Sequence, residues 1–195
     1  MISNDKVIEL YSYFDDLVNT LLENESYWRK CFPCKNNGNC CVESITAATS
    51  SEWAIIREFI SRLPEVDLLT LKRNISNNIR CPFRGENKCI IHDVRPIVCR
   101  VTPITIFPKS NIIDFSFSSN KCMKTDIYKI SAEFNPICLQ DDLILLPVIP
   151  KPKKVYFING NKLFSHPICK KLRAEKSRTV FDWLSDYIER DINIP

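Results

Sequence analysis

Four stretches of the chain carry apolar residues every three or four positions, which is the spacing of one face of an α-helix. They are residues 5–28, about 51–63, about 65–77 and about 178–190. The apolar positions of the first stretch are Val7, Leu10, Tyr11, Phe14, Leu17, Val18, Leu21 and Leu22. We expect each stretch to form a helix that packs its apolar face into a core.

The second of these helices has the clearest predicted start. Thr49-Ser50-Ser51-Glu52 has capping-box spacing, in which the Thr49 hydroxyl and the Glu52 carboxylate each accept from the other residue's backbone N–H. Pro64 should end this helix, because proline cannot continue a helical hydrogen-bond ladder. The residues expected on its buried side are Trp53, Ile56, Phe59 and Ile60.

Residues 102–107 and 112–117 flank Lys109-Ser110-Asn111 and are rich in β-branched and aromatic residues. This pattern predicts a β-hairpin. A short helix is expected near 123–133.

The last quarter of the chain also contains strand signals. Residues 143–148 and 155–158 are apolar and β-branched, which predicts two strands. Asn159-Gly160 is a typical hairpin turn and should lead into a further strand at 162–165.

These patterns predict an α+β fold: a small, helical, loop-rich cysteine-cluster domain with short antiparallel strands and a C-terminal helix. We expect residues 1–139 to form the cysteine-cluster, metal-binding domain with its N-terminal helix. Residues 140–195 should form a C-terminal hairpin and helix packed on the same domain. The apolar fraction of 45% is that of an ordinary globular protein.

Ten cysteines in 195 residues are an excess that calls for either disulfides or metal. Disulfides need an oxidising compartment. The N-terminus has acidic residues where a signal peptide would carry its apolar core, and no apolar run is long enough to span a bilayer. We therefore expect a cytoplasmic protein whose reduced thiols bind metal.

Most of the cysteines fall into two groups, Cys31-x2-Cys34-x5-Cys40-Cys41 and Cys81-x7-Cys89-x9-Cys99. Neighbouring side chains on an extended backbone point to opposite faces, so Cys40 and Cys41 more easily serve two metal atoms, or a metal and a buried position, than chelate one ion. A polynuclear centre or two nearby sites would satisfy this geometry. The spacings are not those of zinc fingers, zinc ribbons or radical S-adenosylmethionine enzymes.

The second group and the segment after it resemble a known family. Cys81-Pro82-Phe83, then Cys89-Ile90-Ile91-His92 through Arg95-Pro96 to Cys99-Arg100, and finally Cys122, are similar to the YkgJ-like, or CxxCxxCC, family of zinc- or iron-chelating domains. Flagellin lysine methylases look similar in the same blocks. The first group departs from the family spacing, since three extra residues separate Cys34 from Cys40.

The resemblance implies eight metal ligands, namely Cys31, Cys34, Cys40, Cys41, Cys81, Cys89, Cys99 and Cys122. Arg95 and Arg100 are candidates to donate hydrogen bonds to the charged thiolates, with ordinary structural roles as the alternative. His92 stands where the family pattern has a tyrosine. We expect its ring to pack beside the site, with a role as a metal ligand as the alternative. Cys138 and Cys169 lie outside the blocks and are expected to be small buried residues.

Eight thiolates can hold two zinc ions or serve an iron–sulfur cluster, and we favour a cluster, of the [4Fe–4S] type. The expected role is structural, redox or sensing. The alternative is a protein methyltransferase related to the flagellin lysine methylases, although the chain has no glycine-rich cofactor loop. The sequence leaves open whether the chain binds a protein partner. The formal charge of +4 counts every thiol as neutral, so it does not argue for nucleic acid.

Overall fold

The computed structural model describes the backbone of most of the chain. The described residues are 1–30, 45–86, 88–102, 104–109, 112–114, 129–130, 137–140, 142–149 and 153–191. Helices combine with short, mainly antiparallel strands that form two sheets. The predicted α+β class is therefore confirmed. None of the helices in these ranges is both long enough and apolar enough to cross a membrane.

The four long helices lie where the apolar periodicity places them. They are α1 (Asn4–Asn24), α2 (Ser50–Ile60), α3 (Glu65–Ser76) and α7 (Val180–Asp191). The capping box of α2 forms as predicted, with Thr49 and Glu52 each accepting the other's backbone N–H. Three short helices are α4 (Ile97–Val101), α5 (Gly160–Ser165) and α6 (Pro167–Arg173). Two 3₁₀ helices cover Ser26–Lys30 and His92–Val94.

The strands are β1 (Ala47–Thr49), β2 (Thr105–Lys109), β3 (Ile112–Asp114), β4 (Lys129–Ile130), β5 (Ile137–Gln140), β6 (Leu143–Ile149), β7 (Lys153–Asn159) and β8 (Ser177–Thr179). β1 and β8 form a small antiparallel sheet. The larger sheet has the order β3-β2-β7-β6-β4, and β5 also pairs with β6. All described pairs are antiparallel except β2 with β7, where Thr105 pairs with Ile158 in parallel.

The sequence-based assignment is wrong at two places. The predicted strand at 162–165 is part of α5, because the Asn159 side chain accepts from the backbone N–H groups of Asn161 and Lys162 and so caps a helix. The predicted helix near 123–133 does not include Lys129–Ile130, which pair with the end of β6 as a strand. Residues 123–128 and 131–133 of that prediction, and 115–117 of the predicted hairpin, lie outside the described residues.

Buried side chains form two hydrophobic cores. The first core joins α1, α4, β6, β7, α5 and α6, and Phe14, Leu143 and Phe157 are among its fully buried members. The predicted stripe of α1 is buried from Val7 to Leu21. Trp28 adds its ring edge-on to Phe157 and donates to the Tyr156 carbonyl at 2.7 Å.

The second core joins α2, α3, α7 and the loop that carries the second cysteine group. Its buried members are Ala48, Trp53, Ile56, Ile60, Leu71, Phe83, Ile90, Ile91, Val180 and Leu184. Val94 packs against both cores. Both cores contain residues from before and after position 140. The domain boundary at that position stays a prediction.

Candidate metal centre

Three of the eight predicted ligands, Cys81, Cys89 and Cys99, lie within the described residues, and all three are partly buried. The other five predicted ligands, Cys31, Cys34, Cys40, Cys41 and Cys122, lie outside the described residues. The geometry of the site is therefore that of the second cysteine group and its surroundings.

Cys81 and Cys89 stand at the two ends of a tight loop. An isolated antiparallel bridge pairs Arg84 with Cys89, and the Ile90 N–H donates to the Phe83 carbonyl at 2.9 Å. Phe83 and Ile90 are buried, so both sides of the loop pack on the second core. This packing brings together the two ends of the loop, which carry Cys81 and Cys89.

Asn74, in α3, fixes the same loop from the side. Its buried side-chain amide donates to the carbonyl oxygens of Pro82 at 2.9 Å and Arg84 at 2.8 Å. At the tip, a Cβ on Gly85 would lie 3.1 Å from the Lys88 carbonyl oxygen, closer than a side chain normally allows. Asn74 and Gly85 thus shape a loop that presents two sulfurs.

Cys99 lies on α4, whose start is held by a buried carboxylate. Glu52 is 4% exposed, and its carboxylate accepts the backbone N–H of Ile97 at 2.8 Å in addition to that of Thr49 at 2.9 Å. One residue therefore caps α2 and anchors the first residue of α4. Burial raises the pKa of Glu52, and these two backbone donors counteract it.

The Cys99 thiol donates to the Thr46 hydroxyl oxygen at 3.6 Å. Burial of the thiol group raises the pKa of Cys99 well above its usual range. The Thr46 contact lowers this pKa, Cys81 and Cys89 raise it further, and Arg95 lowers it. The three cysteines are thus close enough to influence one another electrostatically, with a guanidinium beside them.

Arg95 is fixed by His92. Its Nη1 donates to the His92 carbonyl oxygen at 2.7 Å and lies 2.9 Å from His92 Nε2. Burial lowers the pKa of His92, and Arg95 lowers it further, so the neutral ring accepts from the guanidinium. The Nε of Arg95 is buried and has no hydrogen-bond partner among the described residues.

Arg100 has different partners, although the sequence analysis predicts the same role for both arginines. It is 5% exposed; its Nη1 lies 3.3 Å from the Asp15 carboxylate of α1, and its Nε donates to the Arg95 carbonyl at 3.2 Å. Its Nη2 donates to the Asp93 carbonyl. These contacts tie α4 to α1, and a role toward the thiolates stays a prediction.

Sequence reasoning did not connect Thr46 and Asn74 with the site, and it assigned Glu52 only to helix capping. Asn74 could have been noticed as a polar residue on the apolar stripe of α3. Thr46 carries no such signal, because its part in the site depends on how distant segments pack.

The remaining cysteines have separate surroundings. Cys169, 1% exposed, belongs to the first core, and burial raises the pKa of its thiol to about 11. Its neighbour His166 stacks on Tyr13 with ring centres 4.9 Å apart and caps α6 by accepting from the Ile168 N–H. Cys138 lies in β5, and its side chain is outside the described part of the molecule.

The donor chemistry fits a thiophilic metal. Thiolates are preferred ligands of zinc and of iron–sulfur clusters, and a buried guanidinium nitrogen with no other described partner suits a negatively charged site. Within the described ranges, no group of three or more His, Cys, Asp or Glu side chains is arranged to hold a metal ion. That Cys81, Cys89 and Cys99 belong to a larger ligand set, with the first group and Cys122, stays a prediction.

A family model agrees with this chemistry. The model CxxCxxCC, with the description "putative zinc- or iron-chelating domain", matches residues 30–131, more than half of the chain. The matched range contains all eight predicted ligands and excludes Cys138 and Cys169. Comparison with curated proteins and with solved structures finds no match.

Proposed function

Because this chain belongs to the CxxCxxCC family, described as zinc- or iron-chelating, we propose that it holds an iron–sulfur cluster through its two cysteine groups and Cys122. The observation that supports the proposal is that Cys81 and Cys89, on one loop, lie near enough to Cys99 of α4 to influence it, although these three alone are not arranged to hold a metal ion. These three residues come from a loop and a separate helix, yet each of the first two raises the pKa of the third.

The first cysteine group has the reach to complete this centre. Cys41 lies five residues before Thr46, whose hydroxyl contacts the Cys99 thiol. The proposal requires Cys41 to reach the neighbourhood of Cys99, and a chain of five residues can span at most about 18 Å. A cluster tolerates the irregular spacings of these cysteines, and this favours iron–sulfur over two closed zinc sites.

In this proposal the protein's own residues do three things. Asn74 and Gly85 shape the loop that presents Cys81 and Cys89, Glu52 fixes the helix of Cys99, and Arg95 offsets the negative charge of the thiolates. A bound cluster would supply one-electron chemistry or structural cross-linking. We propose a structural, redox or sensing role in the cytoplasm.

Metal analysis with a visible spectrum tests the proposal. Protein purified without oxygen should contain iron and show a broad sulfur-to-iron charge-transfer band that dithionite bleaches. A colourless protein with two zinc ions would reject the cluster and keep the metal centre. Metal binding is expected to contribute to the folding energy, so folded protein should retain its metal. Less than about a tenth of an equivalent of both iron and zinc would therefore reject the metal centre itself.

The methyltransferase alternative has its own test. A calorimetric titration with S-adenosylmethionine should give no binding heat if the centre is a metal site alone. Tight binding of this cofactor would instead favour the enzyme.

A further inference from the structure

The outer face of α1 carries a row of exposed acidic side chains, opposite the buried stripe of the helix. Successive members are four, seven and seven residues apart, so they stay within about 40° of one another around a helix of 3.6 residues per turn. This acidic row consists of Asp5, Glu9, Asp16 and Glu23. None of its members forms an ion pair with another described residue, and Lys6 is the only basic residue of α1.

A basic face of similar exposure is formed by α6 and the turn after it. The basic face consists of Lys170, Lys171, Arg173 and Lys176, all exposed. These four side chains also lack an ion-pair partner among the described residues. Glu175, the only acidic residue of positions 167–176, does not neutralise them, because its carboxylate accepts from the start of α2 and from the Ile2 N–H and is only 11% exposed.

The acidic row and the basic face lie side by side because α1 and α6 are antiparallel neighbours. At one end, the Tyr13 ring stacks on His166, the residue before α6, with ring centres 4.9 Å apart. At the other end, Glu175, two residues after α6, accepts the Ile2 N–H at 2.7 Å. Residues 2–13 therefore lie alongside residues 175–166, and the first half of the acidic row is level with the basic face.

Two neighbouring ridges of opposite charge form a surface that is complementary to itself. A two-fold axis that runs between α1 and α6, parallel to both, places the acidic row of one copy on the basic face of the other, and the reverse. Such a rotation keeps each residue at its level along the helices, so Asp5 and Glu9 of one copy come opposite positions 170–176 of the other. We propose that this α1/α6 surface is the interface of a symmetric dimer of the chain. The inference does not depend on a bound metal.

A second copy fits this surface better than a nucleic acid does. Single strands bind by stacking bases on free aromatic rings beside a basic groove. Here the guanidinium of Arg173 lies over the Phe164 ring at 5.4 Å, and the ammonium of Lys176 lies over the Trp183 ring at 5.8 Å. A nucleic acid would also leave the acidic row unused, whereas a second copy engages both charged surfaces.

An interface of exposed ion pairs should be weak and sensitive to salt, because each pair contributes little and is screened by counterions. We therefore expect wild type to form dimers at high protein concentration in low salt, and to dissociate at about 0.5 M salt. Sedimentation velocity over a concentration series measures this equilibrium. A reducing buffer prevents disulfide-linked dimers from being mistaken for the proposed one.

Charge reversal of each side separately tests the geometry. The first variant is Asp5→Lys/Glu9→Lys, and the second is Lys170→Glu/Lys171→Glu, which leaves the packing of Arg173 on Phe164 intact. Each variant alone faces its own copy with like charges, so its dimerisation should weaken about tenfold or more. Mixed in equal amounts, the two variants present opposite charges at both contacts and should form a heterodimer.

Glu65→Lys/Glu189→Lys is the matched control for the first variant. It makes the same change of net charge at exposed positions of α3 and α7, which pack in the second core. It should dimerise as wild type does, apart from the general effect of net charge. Circular dichroism checks the fold of every variant; where a double variant does not fold, Glu9→Lys and Lys170→Glu take its place.

Three results would overturn the inference. The first is a wild type that stays monomeric at every concentration in low salt. The second is a dimer that both charge reversals leave unchanged, or that the mixture of the two variants does not restore. The third is a monomeric wild type that binds a single-stranded oligothymidylate and loses this binding in Lys170→Glu/Lys171→Glu, because the basic face would then serve nucleic acid.

Discussion

The two hydrophobic cores hold different parts of the candidate centre. Ile97 and Val101, on either side of Cys99, are buried in the first core, whereas Cys81 and Cys89 pack against the second. If the proposed metal is bound by all three cysteines, it would connect the two cores. The proposal therefore predicts that metal binding and tertiary assembly are coupled, because neither core alone presents all three sulfurs.

Two buried or partly buried carboxylates also connect the cores. Glu52 belongs to α2, which supplies the second core, and accepts from Ile97 of the first. Glu175 accepts from Ser50 and Ser51 at the start of α2 and from the backbone N–H of Ile2, which packs on the first core. The proposed metal, Glu52 and Glu175 each connect the two cores, and each connection can be removed separately by a substitution.

The largest effect is expected from Cys99→Ser, which removes the predicted ligand on α4, a helix whose Ile97 and Val101 are buried in the first core. The variant should lose its metal and about 4 kcal/mol or more of the free energy of unfolding, because metal binding contributes to folding. Metal analysis and denaturant unfolding measure the two losses.

Cys169→Ala is the control, since Cys169 is buried in the first core away from the cysteine blocks. It should keep its metal and cost about 1 kcal/mol for the small cavity. Loss of metal in this variant would contradict the assignment of Cys169 as a packing residue.

Glu52→Ala should have the second largest effect. It leaves the backbone N–H groups of Thr49 and Ile97 without their acceptor and opens a cavity, which together cost about 3 kcal/mol. Because Ile97 begins the helix of Cys99, we also expect faster release of metal. Urea unfolding and chelator-driven release measure these effects.

Glu58→Ala on the same helix is the comparison, because Glu58 is an exposed partner of Arg62 and should contribute about 0.5 kcal/mol or less. If both variants were equally stable, Glu52 would not be a link between the cores.

The smallest effect is expected from Glu175→Gln. Burial alone would raise the pKa of Glu175, but hydrogen bonds from Ser51, Ile2 and Ser50 outweigh it and lower the pKa. The carboxylate therefore stabilises the fold above its unfolded pKa of about 4.3, and this contribution disappears as the pH falls through the lower folded value. At pH 7 the variant should lose about 1 kcal/mol.

The pH dependence distinguishes this mechanism from a packing defect. Unfolding free energies of wild type and Glu175→Gln should converge as the pH falls below about 4, where the wild-type carboxyl becomes protonated. Glu189→Gln, at an exposed position on α7, is the control and should be as stable as wild type at pH 7. A gap of constant size between wild type and Glu175→Gln would count against the charged hydrogen bonds.

The apolar pattern alone located the main helices, because burial of one face is a local and periodic signal. The stripe of α1 from Val7 to Leu21 and the capping box at Thr49 and Glu52 formed as expected. Asn159-Gly160 predicts a hairpin turn, but the same dipeptide can begin a helix, and here the Asn159 side chain caps α5. Leu163 of α5 is buried in the first core, through contacts that the local sequence does not specify.

The sequence by itself determined the chemistry of this protein: thiols in two groups and the family to which they belong. The tertiary structure decided which elements surround those thiols. The structure placed Arg95 beside Cys99 and turned Arg100 toward Asp15, and it brought Tyr11 of α1 to the same helix. The reason is physical: ligand type and helical period are properties of short segments, whereas the neighbours of a buried thiol depend on how distant segments pack.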